Sequence, residues 1–369
     1  MATTTPPASA AAPADTPRPP LWRRLLPPVL SLVLIGAVFF WFLPQFTSIA
    51  DVWDTVRDMT PAHVAVLLLA AVWNLMTYQF VVVSTMPGMN LRQATVSTET
   101  TTAVSNTVVG GAAISLGLTY AMNTSWGFSR SRTTVSLLVS GLWNNFAKLG
   151  LPVLALTLLA FSSAPTTGRL LAGVLGVAAL VAAVVLLGLL LRSEEAAARI
   201  GRGAARVVSA ARRVFGAGPV TGWDRATTKF RARTVLLLHA RWHWITLATL
   251  VSHLSLFAIL LLALRFVGVS ADQVSLAEAL AVFAFARLLT AIPFTPGGLG
   301  VIEVALITGL AAAGGPRALV AAAVLIFRAL TYVLPIPIGL ATYIFWRRNR
   351  SWRRAPNTAP RTDLVPETS

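Results

Sequence analysis

One stretch decides the fold: Pro293-Phe294-Thr295-Pro296-Gly297-Gly298-Leu299-Gly300, a proline- and glycine-rich break between two apolar segments. Prolines and glycines interrupt a helix, and each backbone N–H or C=O group left unpaired in hydrocarbon costs several kcal/mol. Such a break is tolerated at membrane depth only inside protein or beside a watery cavity, and in transporters it often marks the binding site. Arg287 precedes the break and Glu303 follows it. We therefore expect a polar site here.

The composition is that of a polytopic membrane protein. Of the 369 residues, 56% are hydrophobic and only 12% are charged, whereas soluble domains carry about 25% charged residues. Runs such as 170–191 and 235–266 are long enough to cross a bilayer, which takes about 20 residues per helix. We predict an all-α fold, a polytopic membrane bundle of about six full spans plus two broken re-entrant hairpins.

The charges predict how the chain is oriented. The net charge is +17. In a membrane protein, clustered cations indicate cytoplasmic loops, according to the positive-inside rule, rather than a site for nucleic acid. The 44–60 loop is acidic, whereas the 192–233 loop and the C-terminal tail are basic. We therefore expect a multi-pass protein of the cytoplasmic membrane with both termini in the cytoplasm. The predicted segments are a disordered tail (1–22), a membrane domain (23–346) and a disordered basic tail (347–369).

The hydrophobic pattern predicts two similar units. Full spans are predicted at 23–43, 61–83, 132–161, 169–191, 236–267 and 317–346. Two apolar segments, 94–127 and 276–313, are interrupted by glycines. Each broken segment forms a unit with its flanking spans, and the two units should have opposite orientation, as in inverted-repeat transporters. The alternative is eight ordinary spans whose glycines allow close helix packing.

The 192–233 linker is predicted to contain an amphipathic helix. At about 100° per residue, Arg199, Arg202 and Arg206 share one face, and apolar residues share the opposite one. Such a helix suits the surface of the anionic inner leaflet. The alternative is a connector that only satisfies the positive-inside rule.

Charged side chains inside the spans are the candidate site residues, because a charge at the bilayer centre costs at least about 2.5 kcal/mol. Lys148, Arg287 and Arg328 outnumber Glu303, so a cavity that they line would favour an anion such as a lipid phosphate. The alternative is that Glu303 only neutralises Arg328 or Arg287 to hold the bundle together. The candidate set also includes helix neighbours and the two glycine breaks: Asn144, Tyr332, Gly110, Gly111, Pro293, Pro296, Gly297, Gly298 and Gly300.

No motif predicts a metal, a cofactor or a catalytic centre. His239 and His243 have the i, i+4 spacing of metal ligands, but the tryptophans around them favour an interfacial anchor. The sequence contains no HExxH, P-loop or GxSxG motif. We therefore expect a protein that is not an enzyme.

Three features follow one another in a fixed order: Arg287, then Pro293-Phe-Thr-Pro-Gly-Gly-Leu-Gly-Val-Ile-Glu303, then Arg328-Ala-Leu-Thr-Tyr-Val-Leu-Pro335. With the segment 106–111, they resemble the transmembrane region of lysylphosphatidylglycerol synthases, also called the flippase-like domain family. The resemblance covers roughly residues 25–346.

This resemblance implies a protein that translocates or handles an anionic or amino-acylated phospholipid. Because the chain ends soon after its last span, we expect a stand-alone member without the aminoacyl-transferase domain. The alternative is a non-catalytic membrane subunit that scaffolds a separate lipid- or glycan-modifying enzyme.

Overall fold

The computed structural model describes residues 57–108, 110–162, 223–290 and 296–349, together with 351–352 and scattered positions elsewhere. Within these residues the protein consists of nine α-helices and no strands. The helices are α1 (Pro61–Thr85), α2 (Leu91–Thr107), α3 (Gly111–Ser125), α4 (Arg130–Ser162), α5 (Trp223–Phe266), α6 (Leu276–Leu289), α7 (Val301–Ala312), α8 (Arg317–Arg328) and α9 (Pro335–Arg348). The predicted all-α membrane bundle is confirmed.

Four helical stretches are long and apolar enough to cross a membrane: Pro61–Thr85, Arg130–Leu159, Arg231–Phe266 and Arg317–Arg348. They coincide with four of the predicted spans. Large apolar side chains on them, such as Leu69 and Leu236, are more than half exposed, which suits a surface in contact with lipid. The other two predicted spans, the N-terminal tail and the residues after Trp352 lie outside the described residues, apart from scattered positions.

Two element boundaries differ from the sequence-based prediction. The helix α5 begins inside the predicted 192–233 linker, because no proline or glycine interrupts residues 223–266. The predicted span 317–346 is two helices joined by a π-helical turn, Ala329–Val333. The Leu334 N–H donates to the Ala329 carbonyl at 2.8 Å, an i→i+5 bond. The following residue, Pro335, has no N–H for the usual bond, so the helix widens here.

The first broken segment is a hairpin of α2 and α3. The N-terminus of α2 carries a capping box, which satisfies its first backbone donors. At the turn, Gly111 lies against Val104, and further along Ser115 Oγ donates to the Thr101 carbonyl at 2.6 Å. A later residue of α3 thus contacts an earlier residue of α2, so the two helices are antiparallel.

The second broken segment is a hairpin of α6 and α7. The helix α6 also begins with a capping box. Gly298 faces Thr290, and Gly309 faces Val282, so these two helices are antiparallel as well. The prediction that this segment is not one continuous helix is therefore confirmed, although Pro293 lies outside the described residues.

The two predicted units pack against each other reciprocally. Their first spans, α1 and α5, are antiparallel, since His63 stacks on Phe266 while Asn74 Nδ2 donates to Ser255 Oγ at 2.7 Å. The first helix of each hairpin packs against the last span of the other unit, α2 against α9 and α6 against α4. This reciprocal exchange is the arrangement expected of an inverted repeat.

The second hairpin lies in the main hydrophobic core. Phe283 of α6 is almost fully buried, and its ring centroid lies 5.4 Å from that of Phe257 and 6.4 Å from that of Phe327. One helical turn after Phe283 comes Arg287, and the residue after Phe327 is Arg328. The packed aromatic rings therefore fix the positions of two cationic side chains in the interior of the bundle.

Candidate functional site

A cavity of about 620 Å³ lies where the tips of the two hairpins meet. Most of the predicted site residues line it: Gly110, Gly111, Lys148, Arg287, Gly297, Gly298, Arg328 and Tyr332. The lining also includes polar side chains that the sequence did not single out: Thr102, Ser105, Asn106, Thr290 and Thr331. The site therefore combines residues of both units, brought together from distant parts of the chain.

The two hairpin tips are joined through Tyr332. Its hydroxyl donates to the Asn106 carbonyl at 2.5 Å, and Asn106 Nδ2 donates to the Tyr332 carbonyl at 3.1 Å. Gly297 packs directly on the Tyr332 ring with φ 58°, and a Cβ atom here would collide with that ring. Only glycine combines this left-handed backbone with so close an approach.

Arg328 is held by three partners. Its Nε donates to Glu303 Oε1 at 2.6 Å, its Nη2 donates to the Gly297 carbonyl at 3.3 Å, and its guanidinium lies 4.5 Å from the centroid of the Tyr332 ring. Glu303 lies in the first turn of α7 and Arg328 in the last turn of α8, where the helix dipoles favour these charges. Glu303 therefore neutralises Arg328, and it lies behind that side chain rather than in the cavity lining.

Lys148 and Arg287 lack such a counter-ion among the described residues. No carboxylate of the described residues lies within 4.0 Å of either cation. The Nε of Arg287 is buried and has no hydrogen-bond partner from the described parts of the chain, and Lys148 is only 8% exposed. Arg287 also acts electrostatically on Lys148, as one positive charge on another. Buried like charges without a counter-ion are costly, so this wall of the cavity favours an anion.

The remaining predicted site residues lie beside the cavity or outside the described residues. Asn144 is half-buried one helical turn before Lys148, beyond the cavity lining. Gly300 lines a shallow groove on α6 and α7 instead. Pro296 begins the 3₁₀ turn Pro296–Gly298 next to the cavity, and Pro293 lies outside the described residues.

The sequence contains a pattern that indicates the uncharged polar residues of the cavity lining, which the prediction from charges did not include. The helix α2 reads LRQATVSTETTTAVSNT and is rich in serine and threonine, although it packs inside a membrane bundle. Polar side chains within a membrane domain tend to face its interior or a cavity. Charge alone does not identify them, because hydroxyl and amide groups cost less to bury than ionised groups.

The comparisons with known proteins agree with this architecture. The chain matches the family described as "Lysylphosphatidylglycerol synthase TM region" over residues 29–339, a range that contains both hairpins and the whole cavity. A comparison with curated proteins finds no significant match. Because the match covers most of the chain, and long apolar helices are present, this integral membrane protein belongs to the family of lysylphosphatidylglycerol synthase transmembrane regions.

Proposed function

We propose that this protein translocates a phospholipid with an anionic headgroup across the cell membrane and catalyses no chemical reaction. The observation that carries the proposal is the charge of the cavity wall. Lys148, Arg287 and Arg328 line the cavity, whereas Glu303, which is paired with Arg328, lies behind that side chain and outside the lining. A phosphate between Lys148 and Arg287 would neutralise them and accept charge-assisted hydrogen bonds.

The size of the cavity supports a headgroup as the ligand. A volume of about 620 Å³ falls within the range of about 300–1,000 Å³ that is typical of small-molecule sites. The headgroup would occupy this space while the acyl chains remain in the surrounding bilayer. The hairpins would enter from opposite sides of the membrane, with their tips meeting halfway, so a headgroup at the tips has a route to either leaflet.

Each cation has a separate role in the proposal. Arg287 and Lys148 bind the phosphate through charge, because neither has a carboxylate partner in the part of the chain that the structure describes. Arg328 has five N–H donors, and two of them are used by Glu303 and Gly297. The others would contact the headgroup, while Glu303 holds the guanidinium in place.

The orientation proposed for the chain determines how each leaflet reaches the cavity. The basic 192–233 linker and both termini lie in the cytoplasm, where the linker contacts the anionic inner leaflet. The first hairpin then opens to the cytoplasm, and the second opens to the outside. Each leaflet therefore has access to one side of the cavity.

A reconstitution experiment tests the proposal. The purified full-length protein is placed in liposomes with fluorescent lipids of anionic, zwitterionic and amino-acylated headgroups, and their transfer between leaflets is followed by quenching from outside. Zwitterionic lipids carry the same phosphate, but their ammonium group would add a positive charge to a cationic cavity. An interaction with a charged group is worth about 1.5–3 kcal/mol, so anionic lipids should cross about 10–100 times faster than zwitterionic ones. Equal rates for all headgroups, or rates no higher than in protein-free liposomes, would refute the proposal.

A further inference from the structure

A second polar pair is buried between α1 and α2, away from the cavity lining. Gln79 Nε2 donates to Glu99 Oε1 at 2.7 Å, and each side chain is only 3% exposed. The second carboxyl oxygen of Glu99 and the amide oxygen of Gln79 are buried without a hydrogen-bond partner. An ionised carboxylate in this environment is costly, so this position requires a positively charged ligand.

The protein supplies no cation to Glu99 from the described residues. Among the titratable groups on α2 and on the elements packed against it, no cation lies within 4.0 Å of this carboxyl, whose polar side-chain partner is Gln79. These groups are Arg92 on α2, His63 and Tyr78 on α1, Tyr120 on α3, Arg328 and Tyr332 at the π-helical turn, and Tyr343, Arg347 and Arg348 on α9. On the α9 side, Gly339 lies against the backbone of Glu99, and a Cβ atom there would collide with the Glu99 carbonyl.

The number of free oxygens indicates which ligand fits. Hard metal cations such as Ca²⁺ and Mg²⁺ are surrounded by about six or more oxygen ligands. Of the described residues, the pair itself provides two unpaired side-chain oxygens, one from each residue. A proton needs a single oxygen, and binding a proton removes the charge of the carboxylate altogether.

We propose that Glu99 is a proton-binding site and that its proton is exchanged during lipid translocation, which would make the transport proton-coupled. This proposal rests on the translocation function proposed above. The step is a simple acid–base exchange: the carboxylate takes a proton from water on one side of the membrane and returns it to water on the other. No other reactant is required.

The helix α2 provides the link between this proton and the lipid cavity. Thr102 and Asn106 lie three and seven residues after Glu99, on the same helix face, and both line the cavity. The same helix is fixed to the last span at two points, by the packing of Gly339 and by the bonds between Asn106 and Tyr332. A change at Glu99 is therefore transmitted to one wall of the cavity.

Protonation would select between two positions of this helix. The neutral carboxyl is compatible with the close packing of α2 against α1 and α9 that the structure shows. The ionised carboxylate requires water, so the loss of the proton would favour separation of α2 from its neighbours. Proton binding thus has a different free energy in the two positions, which is the condition for coupling.

The proton site is tested first by a measurement that does not depend on lipid transfer. Infrared difference spectra of the full-length protein in liposomes, recorded between neutral and alkaline pH, where ordinary carboxyls stay ionised, should show the carbonyl band of a protonated carboxyl group. The band should be lost in Glu99→Gln and retained in the matched control Glu278→Gln, since glutamine preserves the helix cap formed by Glu278. If Glu99→Gln does not fold, Glu99→Met gives the same test with an apolar side chain. A band unchanged in both Glu99 variants, or one that responds to sodium at fixed pH, would overturn the proposal.

The coupling is tested by transport under a pH gradient. Lipid transfer by the wild-type protein should accelerate with a gradient of one direction and slow with the opposite one. In Glu99→Gln this dependence on the gradient should be lost, whereas Glu278→Gln should retain it. A wild-type rate that ignores the gradient would overturn the coupling. No transfer of any lipid would instead refute the proposed function, and the infrared band would still decide whether Glu99 binds a proton.

Discussion

The buried ion pair between Glu303 and Arg328 gives the sharpest test of the site. The two side chains are 2% and 6% exposed, and their atoms lie 2.6 Å apart. The substitution Glu303→Gln would leave the Arg328 charge buried without a carboxylate, and removal of one partner of a buried pair costs about 3–5 kcal/mol. The glutamine oxygen can still accept the bond from Arg328 Nε, so we expect a loss of free energy of unfolding near 3 kcal/mol, the lower end of that range.

The double variant Glu303→Gln/Arg328→Gln separates stability from function. It removes both charges, so it should regain most of the lost stability. Its transfer of anionic lipids should nevertheless remain slower than that of the wild type, because the guanidinium proposed to contact the headgroup is gone. Thermal unfolding of the full-length protein in detergent gives the first quantity, and transfer in liposomes gives the second.

The outcomes of this cycle are distinguishable. Glu278→Gln is the control for losing a carboxylate, and its melting temperature should match the wild type because the helix cap is kept. If Glu303→Gln is as stable as the wild type, the ion pair does not have the strength that its burial implies. If the stable double variant transfers lipid at the wild-type rate, Arg328 does not take part in the lipid site.

Three further predictions test the hairpin tips, the pairing of the units and the orientation. Gly297→Ala should lower stability by more than about 1–2 kcal/mol, the cost of the left-handed backbone alone, because its Cβ also meets the Tyr332 ring. Gly110→Ala, which has the same left-handed backbone and open space at its Cβ position, should lose only the backbone part in the same thermal assay. The hydroxyls of Thr100 and Thr342 lie 3.0 Å apart, so cysteines at these positions should cross-link on mild oxidation; a monomer without the cross-link on non-reducing gels would contradict the packing of α2 on α9. In this cysteine-free chain, Ala210→Cys should resist an impermeant thiol reagent added to intact cells, and labelling from outside would reverse the proposed topology.

Much of the fold could be predicted because membrane physics leaves few choices. Apolar runs such as Pro61–Thr85 must be helical to satisfy their backbone in lipid, and the glycine pairs mark where helices break. The π-helical turn was missed although its cause, Pro335, is visible in the sequence. A proline within a membrane helix can be accommodated in several ways, and tertiary packing decides between them.

The site was predicted less completely, because its partners are distant in the chain. The cost of burying a charge identified Arg287, Arg328 and Glu303 as candidates. The sequence does not indicate which of the two arginines forms an ion pair with Glu303. The bonds between Asn106 and Tyr332 join positions 226 residues apart. No local pattern encodes such a contact, which depends on how the two units pack.

The measurement that tests the central claim most directly is the transfer rate of phosphatidylglycerol in liposomes for wild type, Arg287→Gln and Arg130→Gln. Arg287 has no carboxylate partner among the described residues, so its removal should not destabilise the fold, while Arg130 is an exposed cation at the start of α4. The account predicts that Arg287→Gln slows the transfer about 10–100-fold, as expected for one lost charge-assisted contact, and that Arg130→Gln leaves it unchanged. A folded Arg287→Gln protein that transfers phosphatidylglycerol at the wild-type rate would contradict the account.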